Sequence, residues 1–287
     1  MTTHGRGLLL AVVGVVILSP DSLLLRLVGV DVWTTLFWRG LGLFVVLASL
    51  SLWRHGRQLP RHLMGFGGFG VGIVLGFSSC QVAFVGAIEL TGVANVLVLV
   101  SATPLVAALV SGMGFGERLS RGTWLAIAWG TLGALIAASE ALGGLHWRGD
   151  LLALVVPIAL GISFSLIRAV DAPDAWILFA LSGLLTAVVT APFAGDPVTG
   201  LDGLWLVLLA LVVAPLPFVF INIALRRIPA AEVSLVMLME TLLGPLWVWL
   251  ALGEVPTLRA LLGGGILLTT VVLHATSRRE PTPSGPP

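Results

Sequence analysis

Ten runs of roughly 20 mainly apolar residues follow one another along this chain, parted only by short polar or Pro/Gly-bearing breaks. They cover approximately residues 8–27, 32–53, 64–88, 91–113, 121–139, 150–169, 175–194, 203–224, 231–251 and 258–275. Wound as an α-helix at 1.5 Å per residue, a run of that length crosses the roughly 30 Å hydrocarbon core of a bilayer. A backbone in hydrocarbon must satisfy its own hydrogen bonds, so such runs are helical. Composition agrees. Only 10% of the 287 residues are charged, against about 25% in a soluble domain. The sequence predicts an all-α integral membrane protein of ten transmembrane helices, with the lipid bilayer as its main partner. The first run follows Arg6 and carries Asp21 and Arg26 onward with no small-residue cleavage site, which reads as a first membrane helix and not a leader.

All fifteen cations are Arg and the formal charge is +1, so no basic face invites nucleic acid. With the N-terminus inside, the inner loops hold Arg6, Arg54, Arg57, Arg61, Arg118, Arg121, Arg168, Arg226, Arg227, Arg278 and Arg279. The outer loops hold only Arg26, Arg148 and Arg259. Positive residues accumulate on the cytoplasmic side, which predicts a bacterial inner-membrane protein with both termini cytoplasmic. The single cysteine, Cys80, excludes an internal disulfide and any CxxC metal site, and no cofactor or metal is expected.

The chain matches itself. Residues 9–43 align with 151–185 at an offset of 142, pairing Ala11 with Ala153, Arg26 with Arg168 and Phe37 with Phe179. A second stretch aligns at 137, pairing Ala94 with Ala231, Leu105 with Leu242, and Gly116-Glu117 with Gly253-Glu254. Five helices per copy is an odd number, so the second copy enters the membrane from the opposite face. We expect two inverted five-helix repeats, 1–145 and 146–277, followed by a Pro-rich disordered cytoplasmic tail, 278–287. Inverted repeats typify secondary transporters, whose halves rock about a site near the midplane.

Proline frees a backbone carbonyl and is tolerated in a span that faces protein or a wet cavity. Pro20, Pro104, Pro157, Pro215, Pro217 and Pro245, with the glycine-rich third run, mark spans 1, 3, 4, 6, 8 and 9 as the cavity lining. Buried polar groups at mid-depth there are expensive unless used. They make Ser19, Ser78, Gln81, Ser101, Ser163, Asn222, Glu240 and Thr241 the candidate substrate-binding residues. Glu240, about halfway along span 9, suits a proton or a substrate amine. Asp21 and Arg39 lie at similar depth on spans 1 and 2 and are expected to form a structural ion pair. Trp38, Trp247 and Trp249 are expected to border the cavity or pack in the core. Gly68, Gly72 and Gly76 form a small-residue face for close helix approach.

The stretch from Ala87 through Pro104 to Gly116-Glu117 resembles the EamA half of the drug/metabolite transporter superfamily, and LFWRGLGL around Arg39 is similar to that family's second helix. The second half departs from the pattern, with Thr241 where proline is usual and Pro245 a turn later. The resemblance implies ten helices and metabolite export, most like the bacterial aromatic amino-acid exporters within the family. The expected function is alternating-access export of amino acids or similar small metabolites by a monomer or weak homodimer. The alternatives are a proton-coupled exporter of cationic drugs or other metabolites and an intramembrane enzyme. No HExxH or other catalytic constellation supports the enzyme reading, and no catalytic residue is assigned.

Overall fold

The computed structural model describes residues 3–91, 96, 99–116, 119–138, 147–170, 175–253 and 258–277, and the regular structure among them is helical. The first apolar run folds as α1 (Thr3–Leu18) and α2 (Asp21–Leu27), parted by a turn at Ser19 and Pro20. The second is one helix, α3 (Val32–His55), followed by the short α4 (Leu59–Gly65) and by α5 (Gly67–Thr91). Then come α6 (Thr103–Phe115), α7 (Arg121–Ala138), α8 (Trp147–Ala169) and α9 (Trp176–Thr190). The eighth run is α10 (Gly200–Leu208), a π-turn over Leu209–Val213 and α11 (Pro215–Leu225). The ninth is α12 (Ala230–Met237) and α13 (Glu240–Leu252), and the last is α14 (Leu258–Ser277). Among the described residues, seven helices are long and apolar enough to cross a membrane, and Thr103–Phe115 and Leu261–His274 are shorter apolar helices. Glu117, Glu254, residues 141–146 at the expected boundary between the halves, and the 278–287 tail lie outside the described residues.

Two of the breaks share one local cause. Pro20 and Pro104 lack the N–H that would bond the carbonyl four residues back, which belongs to Val16 and Val100. The preceding residue replaces it in each case: Ser19 Oγ donates to the Val16 carbonyl at 2.8 Å, and Thr103 Oγ1 to the Val100 carbonyl at 2.6 Å. The helix then restarts from a fresh N-terminus. The ninth run breaks without proline, at Leu238 and Met239.

These last two breaks stand at the offset of 137. The 13-residue α6 begins at Thr103 and ends at Phe115; the 13-residue α13 begins at Glu240 and ends at Leu252. Both close on a left-handed glycine, Gly116 at φ 67° and Gly253 at φ 72°, a conformation that side chains with a Cβ rarely adopt.

Packing follows the same exchange of halves. The α5/α8 contact has a counterpart in α1/α11, and α6/α8 has one in α1/α13. The α3/α9 and α7/α14 contacts each map onto themselves. At the α3/α9 crossing a Cβ on Gly40 would sit 2.6 Å from the Gly183 carbonyl oxygen, and one on Gly183 would sit 2.6 Å from that of Gly40, so both must be glycine for the backbones to meet. Gly72 and Gly76 likewise face Leu166 and Ser163 of α8, whereas Gly68 faces open space. An aromatic cluster of the buried Phe77, Phe164 and Phe179 and the half-buried Phe218 joins α5, α8, α9 and α11.

Candidate functional site

A cavity opens where the helices are broken. Its wall takes Leu18 and Asp21 from the first run, Arg39 from α3, Phe77, Cys80, Gln81 and Phe84 from α5, and Val100 and Thr103 at the start of α6. Val156 and Leu160 of α8, Phe218 of α11, and Ser234, Met237, Leu238 and Glu240 of the ninth run complete it. Spans 1, 3, 4, 6, 8 and 9 thus all contribute, and the second adds Arg39.

Three polar groups of this wall sit at the breaks. Asp21, Thr103 and Glu240 are each the first residue of a restarted half-helix, α2, α6 and α13. The unpaired N–H groups and the positive end of the helix dipole lie at that position, which favours a carboxylate there. Arg39 meets Asp21 in a two-pronged contact, Nη1 to Oδ2 at 3.1 Å and Nη2 to Oδ1 at 3.0 Å. Asp21 is 1% exposed and Arg39 8%. The expected pairing of these two groups is what the geometry shows. Glu240 on the same wall makes the charged inventory two carboxylates and one guanidinium.

The enclosed space is small, about 80 Å³. An amino acid needs the walls to part. Larger hollows lie on the outside of the bundle: one of about 760 Å³ between α7 and α14, with His274 its sole titratable residue, and one of about 560 Å³ between α5 and α9. Both are open, apolar and directed away from the central charges.

Of the residues singled out from the sequence, Asp21, Arg39, Gln81 and Glu240 come together in the central cavity. Others are buried in helix packing beside it. Ser19 bridges the break, bonding Val16 and accepting from Trp247 Nε1 at 2.7 Å. Ser78 bonds Thr186 of α9 at 3.0 Å. Ser101 offers its carbonyl to Thr131, and Ser163 packs on Gly76. Asn222 is fully buried, and neither amide atom has a hydrogen-bond partner among the described residues. The Thr241 and Pro245 side chains lie outside the described residues. Trp38 and Trp249, 43% and 41% exposed, face outward and Trp247, 37% exposed, turns its indole N–H in to Ser19, so the expectation that they line the cavity or the core is corrected: none of the three is on the cavity wall.

Sequence reasoning missed the aromatic wall of Phe77, Phe84 and Phe218, and it missed Glu232. That residue, buried in the first turn of α12, lies 3.3 Å from His4 Nε2 and 3.5 Å from His274 Nε2, with Thr123 Oγ1 at 3.4 Å. Nearby, Arg168 Nη1 donates to the carbonyls of Leu225 and Ile228 at 2.7 and 2.8 Å. At the opposite end of the bundle, Gly29 N–H donates to Asp202 and Asp31 N–H to Asp196, at 3.0 and 2.9 Å. Asp31 caps α3, accepting from Trp33 and Thr34. Partial burial works against its charge, but these bonds outweigh it and hold the carboxyl below the usual aspartate value.

The family model for EamA-like transporters matches the sequence twice, over residues 5–139 and 147–276. The chain belongs to the EamA-like transporter family. It is a multi-pass membrane protein that transports small molecules, and its family is one of transporters, not enzymes. No curated protein matches it. A solved crystal structure superposes with a TM-score of 0.75 over 94% of this EamA-like chain and 96% of its own, at 17% identity, and so shares the fold.

Proposed function

We propose that this EamA-like transporter exports amino acids or similar small zwitterions across the bacterial inner membrane by alternating access. In this reading ten spans form two inverted five-helix halves, 1–145 and 146–277, with both termini cytoplasmic. The exchange of contacts between the halves and the matching 13-residue half-helices support it. So do the end contacts: His4, Thr123, Glu232 and His274 lie at ends that the ten-span topology puts inside, whereas Gly29, Asp31, Asp196 and Asp202 lie in loops that it puts outside.

The observation that carries the cargo class is the Asp21, Arg39 and Glu240 set on one cavity wall. A zwitterion presents one carboxylate and one ammonium. Arg39 suits the carboxylate, which must displace Asp21 from its fork, and Glu240 suits the ammonium. Phe77, Phe84 and Phe218 offer the apolar remainder of the cargo a surface. Gln81 is the one uncharged polar candidate positioned to join them; Ser19, Ser78, Ser101, Ser163, Asn222 and Thr241 remain candidates for an opened state. Counterflow in proteoliposomes with amino acids, sugars and cationic drugs tests the proposal. Accumulation of amino acids is expected, and none for any amino acid refutes it.

One observation favours a second reading, proton-coupled export of cationic compounds. With Asp21 neutralised by Arg39, an ionised Glu240 leaves the cavity one negative charge in excess. Under that reading Glu240→Gln abolishes proton-driven flux; flux driven by the substrate gradient alone and unchanged in Glu240→Gln refutes coupling through this residue.

A further inference from the structure

Along α8, Val156, Leu160, Phe164 and Arg168 follow one another four residues apart and so share a face. The first two line the cavity, Phe164 joins the aromatic cluster, and Arg168 stands in the last turn. The order on α11 is the same: Phe218 on the cavity wall, Asn222 one turn on, and Leu225 at the helix end. Leaving the cavity along either helix leads through phenylalanine and then to the Arg168 contact, about 12 Å beyond Leu160 at 1.5 Å per residue.

The rings fill the space between. Phe77 lies 5.7 Å from Phe164, 4.6 Å from Phe179 and 5.6 Å from Phe218, centroid to centroid. Beyond them, Arg168 Nη1 donates to both the Leu225 and Ile228 carbonyls, which frame the turn between α11 and α12. Sequence explains why a carbonyl is on offer there. Pro229 has no N–H to return to the Leu225 carbonyl four residues back, and the guanidinium supplies the missing donor at the negative end of α11.

The contact joins two packed pairs. α5 lies along α8 and α1 along α11, each pair taking one helix from each repeat. Phe77 and Phe164 belong to the first pair, Phe218 belongs to the second, and Arg168 reaches from the first to the second.

We propose that Phe77, Phe164, Phe179 and Phe218 form the plug of a cytoplasmic gate, and that Arg168 is the clasp that has to release the α11–α12 turn before cargo can load. The gate rests on the orientation and alternating-access reading proposed above. Arg168 touches no cargo in this scheme; it positions the turn. The clasp suits repeated use, because its half-buried guanidinium and the end carbonyls of α11 both lie where water can take over their bonds when the pairs part. Asn222 marks the route. Its buried amide, one turn past Phe218, has no hydrogen-bond partner among the described residues, a cost that ends once the plug opens. Arginine keeps its charge at any working pH, so release is driven by the movement of the pairs and not by titration.

Cys80 reports the gate without any cargo. It is the sole cysteine and lies on the cavity wall, on the far side of the plug from Arg168. Full-length protein in inside-out and in right-side-out vesicles is treated with a membrane-impermeant maleimide, and the first alkylation rate is divided by the second. The quotient cancels the reactivity of the thiol. General loosening of the fold speeds both rates and leaves it unchanged, whereas a failed cytoplasmic gate raises it. Loss of charge-assisted bonds shifts such an equilibrium by about tenfold or more, so Arg168→Gln should raise the quotient at least about fivefold. Arg168→Lys keeps a charge on a more strongly hydrated head and should fall between, at least about twofold above wild type. An unchanged quotient in Arg168→Gln overturns the gate; should that variant fail to fold, an unchanged quotient in Arg168→Lys does so. The two proposals fail separately. A Cys80 that reacts from one face alone, or from neither, in every protein counts against alternating access and the gate together. A quotient that is measurable but unmoved overturns the gate alone, and a failed amino-acid counterflow leaves it standing.

Discussion

Breaking the Asp21–Arg39 pair from each side in turn separates structural pairing from a coincidence of depth. Both groups are at least nine-tenths buried and joined by two contacts of 3.0 and 3.1 Å, so either single truncation leaves a charge without its partner. Uncompensated burial of that kind costs about 3–5 kcal/mol. The two sides are not equivalent. Arg39→Gln leaves Asp21 and Glu240 as two carboxylates on one wall with no cation among the cavity-lining residues, and the full cost is expected. Asp21→Asn leaves Arg39 with Glu240 on the same wall, which supplies a substitute carboxylate, so the cost should fall to the lower end. In Asp21→Asn/Arg39→Gln no charge of the pair remains, and two neutral amides can bond each other; stability should return to within about 1 kcal/mol of wild type. At roughly 2 °C per kcal/mol for a chain of this size, the Arg39→Gln midpoint should drop by about 6–10 °C and that of the double variant by about 2 °C. Thermal unfolding in detergent, followed by a thiol-reactive dye at the sole buried cysteine, Cys80, reads all three. Additive losses, with a coupling energy under about 0.5 kcal/mol, would refute the pairing argument.

Gly183→Ala should destabilise by about 2 kcal/mol or more, since the new Cβ meets backbone at 2.6 Å, whereas Gly68→Ala, with nothing within 4 Å, should be neutral or gain up to about 1 kcal/mol from helix propensity; unfolding midpoints compare them, and equal effects contradict the crossing. Asn222→Leu removes an amide with no partner among the described residues and should raise stability by about 1 kcal/mol; if it also abolishes counterflow, Asn222 touches cargo in an opened state, and if flux persists its role is dispensable. Asp31 has a carboxyl held below its ordinary value by hydrogen bonds, so its contribution is present above the unfolded-state pKa of 3.8 and is lost as pH falls through the lower folded value. Hydrogen exchange over residues 29–36 should therefore accelerate on acidification below pH 4, beyond the intrinsic trend, and Asp31→Ala, costing about 1 kcal/mol as a lost cap, should remove that pH dependence.

How much of this was legible in the chain depends on the range of the interaction. Helix existence came through because an apolar run of bilayer length permits one backbone solution. The Asp21–Arg39 pair came through because two charges at equal depth on adjacent spans have few alternatives. Depth alone does not fix rotation about a helix axis, which is why Ser78 and Ser163 turn into helix contacts and not toward the cavity lining. The aromatic wall is a product of packing between α5 and α11, which no local period reveals. His4 and His274 stand at opposite ends of the sequence and carry no mutual spacing; only the closed bundle brings them to Glu232. By contrast the Ser19-Pro20 and Thr103-Pro104 breaks have a local signature, a hydroxyl residue immediately before an intramembrane proline, that predicts both the rupture and its repair.

That signature also explains why the site is where it is. A continuous membrane helix exposes no free N–H groups at mid-depth, so a carboxylate there has only side chains to meet. Restarting the helix creates a set of free N–H groups inside the bundle, and the first residue of the new half-helix is the one placed to use them. Asp21, Thr103 and Glu240 occupy that position in three separate runs, and the latter two correspond at the 137-residue offset. The two carboxylates differ in one respect: Asp21 is already held by Arg39, whereas Glu240 makes no such ion pair among the described residues. A cargo carrying an ammonium thus meets a carboxylate set beside the positive end of a half-helix, while a cargo carboxylate has to compete with Asp21 for the guanidinium. Binding of a zwitterion should therefore be weaker than binding of the matching amine at the resting site, and Asp21→Asn should narrow that gap by freeing Arg39. Competition of amino acids and their decarboxylated amines for the same counterflow measures the difference directly; a gap that widens in Asp21→Asn would show that Arg39 does not receive the cargo carboxylate.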